Sequence, residues 1–320
     1  MPTRLDFARV LALTTMAGIA RPLGAQTALV TLRIGTNAAD DVTPLLWAKA
    51  TGMFAKAGID ADVQKFTSGS AVTAAVIGGS LDIGRSSLLP LISARAHGVP
   101  VQLIAAAEVA VGEDPSAGLI TLKDSGINSG KDLNGKTVPS PSLRDYFEVS
   151  TRAWIDATGG DSKTVKFIEL PISTVLAALE AGRVAAAAIP NPFLANALAS
   201  GKVRLLGRPN TAIAKRFLVT GWCATEAFIA QNRPALLKFT QTLREATVYA
   251  NGHQAETVAV AAPFWGLDPA LVSTMARTTA ADSLDPKDIQ PLIDVALKYG
   301  VIDKPMRAEV MISSVAVRTK

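Results

Sequence analysis

Arg85, Ser86 and Ser87 follow one another where the short apolar stretch LDIG gives way to the helical pattern LLPLISARAHG. An arginine and two hydroxyls make a poor core. A guanidinium is a planar fork that meets a carboxylate or sulfonate with two hydrogen bonds, so the trio predicts a grip on a small anion. A second group of the same kind stands in PSPSLRDYF, where Ser140, Ser142 and Arg144 precede a helical run. Ser68, Gly69 and Ser70 open another helix, and free N–H groups beside hydroxyls suit negative charge. Thr36 and Asn37 end the first strand, and Trp47 lies in the helix that follows. In IPNPF, Asn191 can exchange hydrogen bonds and Phe193 can wall an apolar ligand, with a proline on each side fixing the loop. Tyr146 could stack on a ring. In open α/β sheets ligands bind beyond the carboxyl ends of the strands, and that rule selects these loops.

Catalytic chemistry has little to work with. The chain of 320 residues holds one cysteine and two histidines. Cys223 lies in the strand-like run FLVTGWCATEAFIA and reads as a small buried hydrophobe. A single cysteine forms no intrachain disulfide, and this set cannot assemble a zinc-type cluster. Asp40, Asp41 and Asp145 are the acid–base candidates near the predicted loops, without an evident paired spacing. Hence no metal, no cofactor and no enzymatic activity are expected. Net charge is +5 without a dense Lys/Arg run, which argues against nucleic acid.

The elements that must position these residues alternate. TLRIGTN, IDADVQKF, LDIG and VPVQLIAAAE read as strands, and TPLLWAKATGMFAKAG, SGSAVTAAVIGG and LPLISARAHG as helices between them. The glycine-rich segment VGEDPSAGLITLKDSGINSGKDLNGKTV breaks the rhythm and reads as a crossing to a second lobe. KTVPS, VKFIEL, VAAAAIP and VRLLG then alternate with further helices. FLVTGWCATEAFIA is a candidate return crossing, and four helical stretches close the chain. These have no sheet of their own and must pack on one already built. The division expected is residues 26–112 and 222–320 in lobe 1 and 113–221 in lobe 2, with a ligand cleft between.

Residues 1–25 have the order of a secretory signal peptide: a short basic start, the apolar run VLALTTMAGIA, then small residues before Gln26. Cleavage near Ala25 removes Arg4, Arg9, Arg21 and Asp6 and lowers the net charge from +5 to +3. The mature chain is expected in a bacterial periplasm.

Several phrases together resemble the sulfonate, nitrate and taurine type of ABC-transporter substrate-binding protein. They are GMFAKAGI at Gly52–Ile59, the SGS turn at Ser68–Ser70, GSLDIG at Gly79–Gly84, GINSGKDLNGKTV, and LAALEAGRVAAAAIPNP. Ala185 stands where that family commonly has aspartate, and Asn191 where an acidic residue often precedes the proline. The resemblance implies a two-lobed periplasmic binding-protein fold of type II, each lobe a mostly parallel sheet flanked by helices. It implies a permease and an ATPase as partners and a likeness to binders of thiamine pyrimidine precursors. The reading of residues and resemblance together is a monomeric solute-binding protein that captures a small organic anion by lobe closure. An enzyme on the same fold acting on a carboxylated metabolite, or a binder of a neutral pyrimidine, is the alternative.

Overall fold

The computed structural model describes residues 28–319, so the expected signal peptide lies outside the described residues. The strands of the first half are β1 (Val30–Asn37), β2 (Ile59–Phe66), β3 (Ile83–Ser87), β4 (Val101–Ala106), β5 (Val109–Val111) and β6 (Ala117–Leu122). Those of the second are β7 (Thr137–Ser140), β8 (Lys166–Glu169), β9 (Ala187–Pro190), β10 (Val203–Gly207), β11 (Arg216–Leu218) and β12 (Thr220–Thr225). The helices are α1 (Thr43–Ala50), α2 (Met53–Lys56), α3 (Gly69–Ile77), α4 (Leu88–Ala96), α5 (Tyr146–Ala157) and α6 (Val175–Glu180), then α7 (Phe193–Ala199), α8 (Glu226–Gln231), α9 (Arg233–Gly252), α10 (Gln254–Trp265), α11 (Pro269–Thr274) and α12 (Pro286–Lys298).

One lobe is built on a five-stranded sheet in the order β2-β1-β3-β12-β4. β1 runs parallel to β2 and β3, while β12 runs antiparallel to β3 and β4. A single returning strand therefore sits in an otherwise parallel sheet, as helical crossovers require. Helix α3 lies hard against it. A Cβ on Gly84 would come within 2.6 Å of Val72 Cγ1, so glycine is what lets helix and strand approach. The closing helices cover both faces. Leu236, Phe239 and Leu243 of α9 pack with Leu32, Ile34, Ile104 and Trp222, and Ile289, Leu292 and Ile293 of α12 pack with Leu88, Leu91 and Val101. Cys223 is buried in β12, and burial pushes its thiol up to about 12.

The other lobe carries the three-stranded order β10-β6-β9 and the parallel pair β7-β8. β6 is antiparallel to both neighbours, so β9 and β10 run the same way. The Ala185 N–H donates to the Thr137 carbonyl at 2.9 Å, linking the pair to the residues ahead of β9.

The lobes are joined by β5 and β11, an antiparallel pair in which Val109, Ala110 and Val111 face Leu218, Phe217 and Arg216. The run Thr279–Ala281 lies alongside: Val109 N–H donates to Thr279 O at 3.0 Å, and Ala281 N–H to Ala107 O at 2.7 Å.

Two stretches differ from the sequence expectation. TPLLWAKATGMFAKAG forms α1 and α2 instead of one helix, because Gly52 takes a left-handed φ of 73° and breaks the ladder. FLVTGWCATEAFIA supplies three elements, the end of β11, all of β12 and most of α8, with the Thr225 hydroxyl accepting from Phe228 N–H to cap α8.

Candidate ligand-binding cleft

Between the lobes, at the ends of β1, β2, β3 and β4, lies a cleft walled from both sides. The first lobe lines it with Asn37, Ser68, Gly69, Ser70, Arg85 and Ser87, and the second with Ser142 and Asn191. Eight of the sequence-predicted residues therefore meet at one place. Ser70 and Ser142 face each other across it, their hydroxyl oxygens 2.9 Å apart.

The other six lie elsewhere. Thr36 is fully buried, its hydroxyl donating to the Asn37 carbonyl. Ser86 is fully buried too. Its hydroxyl donates to Gly69 O at 2.9 Å and accepts from Thr73, locking α3 to β3. The Ser140 hydroxyl donates to Asp145 Oδ1 at 2.5 Å. Trp47 stacks on Tyr249 with ring centroids 5.1 Å apart. Phe193 packs on the core of the second lobe. Arg144 has a left-handed φ of 59° and lines a separate groove with Glu148, Arg152 and Lys298.

Glu108, Phe147, Thr220 and Thr278, missed by the sequence reading, also line the cleft, as do Asp40 and Asp145, weighed there as acid–base candidates. Tyr146, weighed for stacking, is there too. Glu108 follows β4, so the strand-end rule, applied there to the first three strands, would have found it once carried to the fourth.

The electrostatics depart from the anion expectation. Arg85 is buried, and its guanidinium is already occupied. Nε donates to Asp41 Oδ2 at 2.8 Å, Nη2 lies 2.6 Å from the same oxygen, and Nη1 donates to Asn37 Oδ1 at 2.6 Å. The Thr220 hydroxyl also donates to Asp41 Oδ2. Asp40 is paired in turn with Arg277 at 2.6 Å and accepts from Thr278 N–H at 2.6 Å. Each of these buried charges has an opposite charge at contact distance, which offsets part of its desolvation, while Asp41 Oδ1 is buried without a hydrogen-bond partner among the described residues. The fork that reads as an anion grip in the sequence is spent on a neighbouring carboxylate.

Glu108 is in the opposite situation. Its side chain is 14% exposed, and its carboxylate makes no hydrogen bond among the described residues; Arg85 Nη2 is 3.9 Å away. Burial, then the nearby Asp41 charge, raises its pKa well above the usual carboxylate range. Asp145 caps α5 by accepting from Glu148 N–H, and burial raises its pKa to about 7. Tyr146, Phe147, Pro141, Ile172 and Val219 supply apolar wall.

Further contacts tie the lobes together. Asn191 Nδ2 donates to Ala276 O at 2.6 Å while its Oδ1 accepts from Ala195 N–H. The Tyr299 hydroxyl donates to Asp156 Oδ2 at 2.8 Å. The lobes are therefore held closed on the cleft.

Among known proteins, a family model described as NMT1/THI5 like matches residues 39–257. A 4-amino-5-hydroxymethyl-2-methylpyrimidine phosphate synthase of Schizosaccharomyces pombe is 34% identical over 95 residues, which is 30% of this chain and 26% of that enzyme. A Brucella abortus chain whose name provisionally calls it a binding protein is 25% identical over 235 residues, 72% of this chain and 70% of that one. The periplasmic aliphatic sulphonate binding protein of Escherichia coli superposes with a TM-score of 0.73 at 19% identity, covering 91% of this chain and 94% of that one. At that identity the likeness establishes the fold: the two-lobed α/β architecture of periplasmic binding proteins.

Proposed function

The chain belongs to the NMT1/THI5-like family, and from that premise we propose that it is the solute-binding component of an ABC importer. It captures a small organic molecule between its lobes and presents the closed form to a permease and its ATPase. The observation that carries this reading is the cleft itself. It is walled from both lobes, and the lobes are joined through two short paired strands. Opening and closing about β5 and β11 exposes or sequesters the ligand. Ser70 with Ser142, and Asn191 with Ala276, are contacts available only when the lobes meet, so they favour the closed form. The reading places the lobe boundaries at the crossing strands and the mature chain in the periplasm as a monomer. It assigns no chemical step to the cleft, where the buried aspartates are committed to arginines or to a helix cap.

Labels on α3 and α5 report lobe separation by energy transfer. Solute capture requires the separation to shorten on adding a ligand and not on adding unrelated solutes. Deleting the gene in its host should then abolish uptake of that ligand. A lobe separation that stays fixed with every solute that binds the chain would overturn the reading.

A further inference from the structure

We propose that the cleft selects an organic cation, a small apolar body bearing positively charged N–H donors, and that Glu108 is the residue that selects it. The inference rests on the capture reading and names its ligand class.

Acidic groups in and immediately behind the cleft outnumber basic ones. Asp40, Asp41, Glu108 and Asp145 stand against Arg85 and Arg277. Two of those carboxylates neutralise the two guanidiniums through contacts of 2.6 Å. That leaves Glu108, whose carboxylate has no hydrogen-bond donor of its own, and Asp145, whose Oδ1 takes the Ser140 hydroxyl and the Glu148 N–H. An anion entering here would meet, among the described residues, no free cationic side chain lining the cleft, beside a Glu108 carboxyl that has no donor of its own and that an anion would hold protonated. A ligand with cationic N–H groups would supply the donors Glu108 lacks and remove the cost of holding it nearly buried. The apolar walls at Tyr146, Phe147 and Ile172 suit a carbon body behind that head. A bare metal ion fits poorly, since among the described residues no three metal-ligating side chains converge.

Titration calorimetry with three near-isosteric probes tests this on the full chain: benzamidinium, neutral benzamide and anionic benzoate. Benzamidinium should bind at least about tenfold more tightly than benzamide, the scale of a hydrogen bond to a charged group, and benzoate weakest of all. Glu108→Gln, with folding checked by circular dichroism, should erase the preference for benzamidinium over benzamide. Affinity for benzamidinium should rise with pH as Glu108 ionises. The charges facing that group are Arg85 from β3, Asp40 and Asp41 from the turn ahead of α1, and Asp114 from the loop after β5, with Tyr146 of α5 beside them. Equal binding of benzamide and benzamidinium, tighter binding of benzoate, or no binding of benzamidinium would each overturn the inference. Benzoate that binds and closes the lobes would do so while leaving solute capture standing. Probes that bind while lobe separation stays fixed would instead count against capture.

Discussion

Asp41→Asn is the substitution that most directly tests the electrostatics of the cleft. Asp41 Oδ2 holds two guanidinium nitrogens of Arg85, at 2.8 and 2.6 Å, and the Thr220 hydroxyl. The side chains are 0% and 6% exposed, so water cannot replace what is lost. Removing one partner of a buried pair leaves the other charge uncompensated, at a cost of about 3–5 kcal/mol. That is a large part of the roughly 5–15 kcal/mol that holds a typical domain folded. Urea unfolding of Asp41→Asn, Arg85→Met and the double variant measures it. The double variant should be less damaged than the sum of the two singles, with a coupling of about 2 kcal/mol or more. The same change makes the cleft less negative by one charge and releases the Arg85 fork. Benzoate should therefore bind Asp41→Asn better than the unsubstituted chain, by about tenfold or more for one charge-assisted hydrogen bond. A cost below about 1 kcal/mol with additive singles, together with unchanged benzoate affinity, would refute the reasoning and restore Arg85 as a free anion grip.

Other consequences follow from burial and backbone geometry. Because the folded pKa of Asp145 is raised to about 7, its contribution to stability is present below the unfolded value and lost as pH rises through 7. Asp145→Asn escapes that loss, so its stability relative to the unsubstituted chain should rise between pH 5 and pH 8; a difference independent of pH in urea unfolding would contradict this. The Cys223 thiol, buried and raised to about 12, should react with a thiol reagent only as fast as the lobe unfolds, and rapid labelling in native buffer would show otherwise. Arg144→Gly should leave ligand affinity unchanged and raise stability by roughly 1 kcal/mol, since glycine adopts φ 59° without strain. A loss of affinity would put Arg144 in the cleft after all.

Much of the fold is legible in the sequence because its signals are local. Apolar runs of strand length alternate with helical periodicity, and glycines stand where helices stop. The resemblance adds the two-lobed arrangement, and the strand-end rule brings Asn37, Ser68, Ser70, Arg85, Ser87, Ser142 and Asn191 to one cleft without knowledge of their contacts. Ser86 has the same chemistry as Ser87, but alternation along β3 turns it into the packing, where it bonds to Gly69. Ser140 closes β7, and its hydroxyl is taken by Asp145 five positions on.

What the sequence determined by itself is the alternation of elements, the candidate loops and the poverty of catalytic groups. Only the tertiary structure decided which charges are free. Arg85 and Asp41 are 44 positions apart, and the pairing that silences the arginine exists only once β3 is laid beside β1 and the turn that follows it. Glu108 follows a strand like several other polar residues in the chain. It becomes the unsatisfied carboxylate of the cleft because Asp41 has already claimed the guanidinium beside it. The sign of a binding site depends on how fixed charges neutralise one another at contact distance, and chain spacing does not encode that.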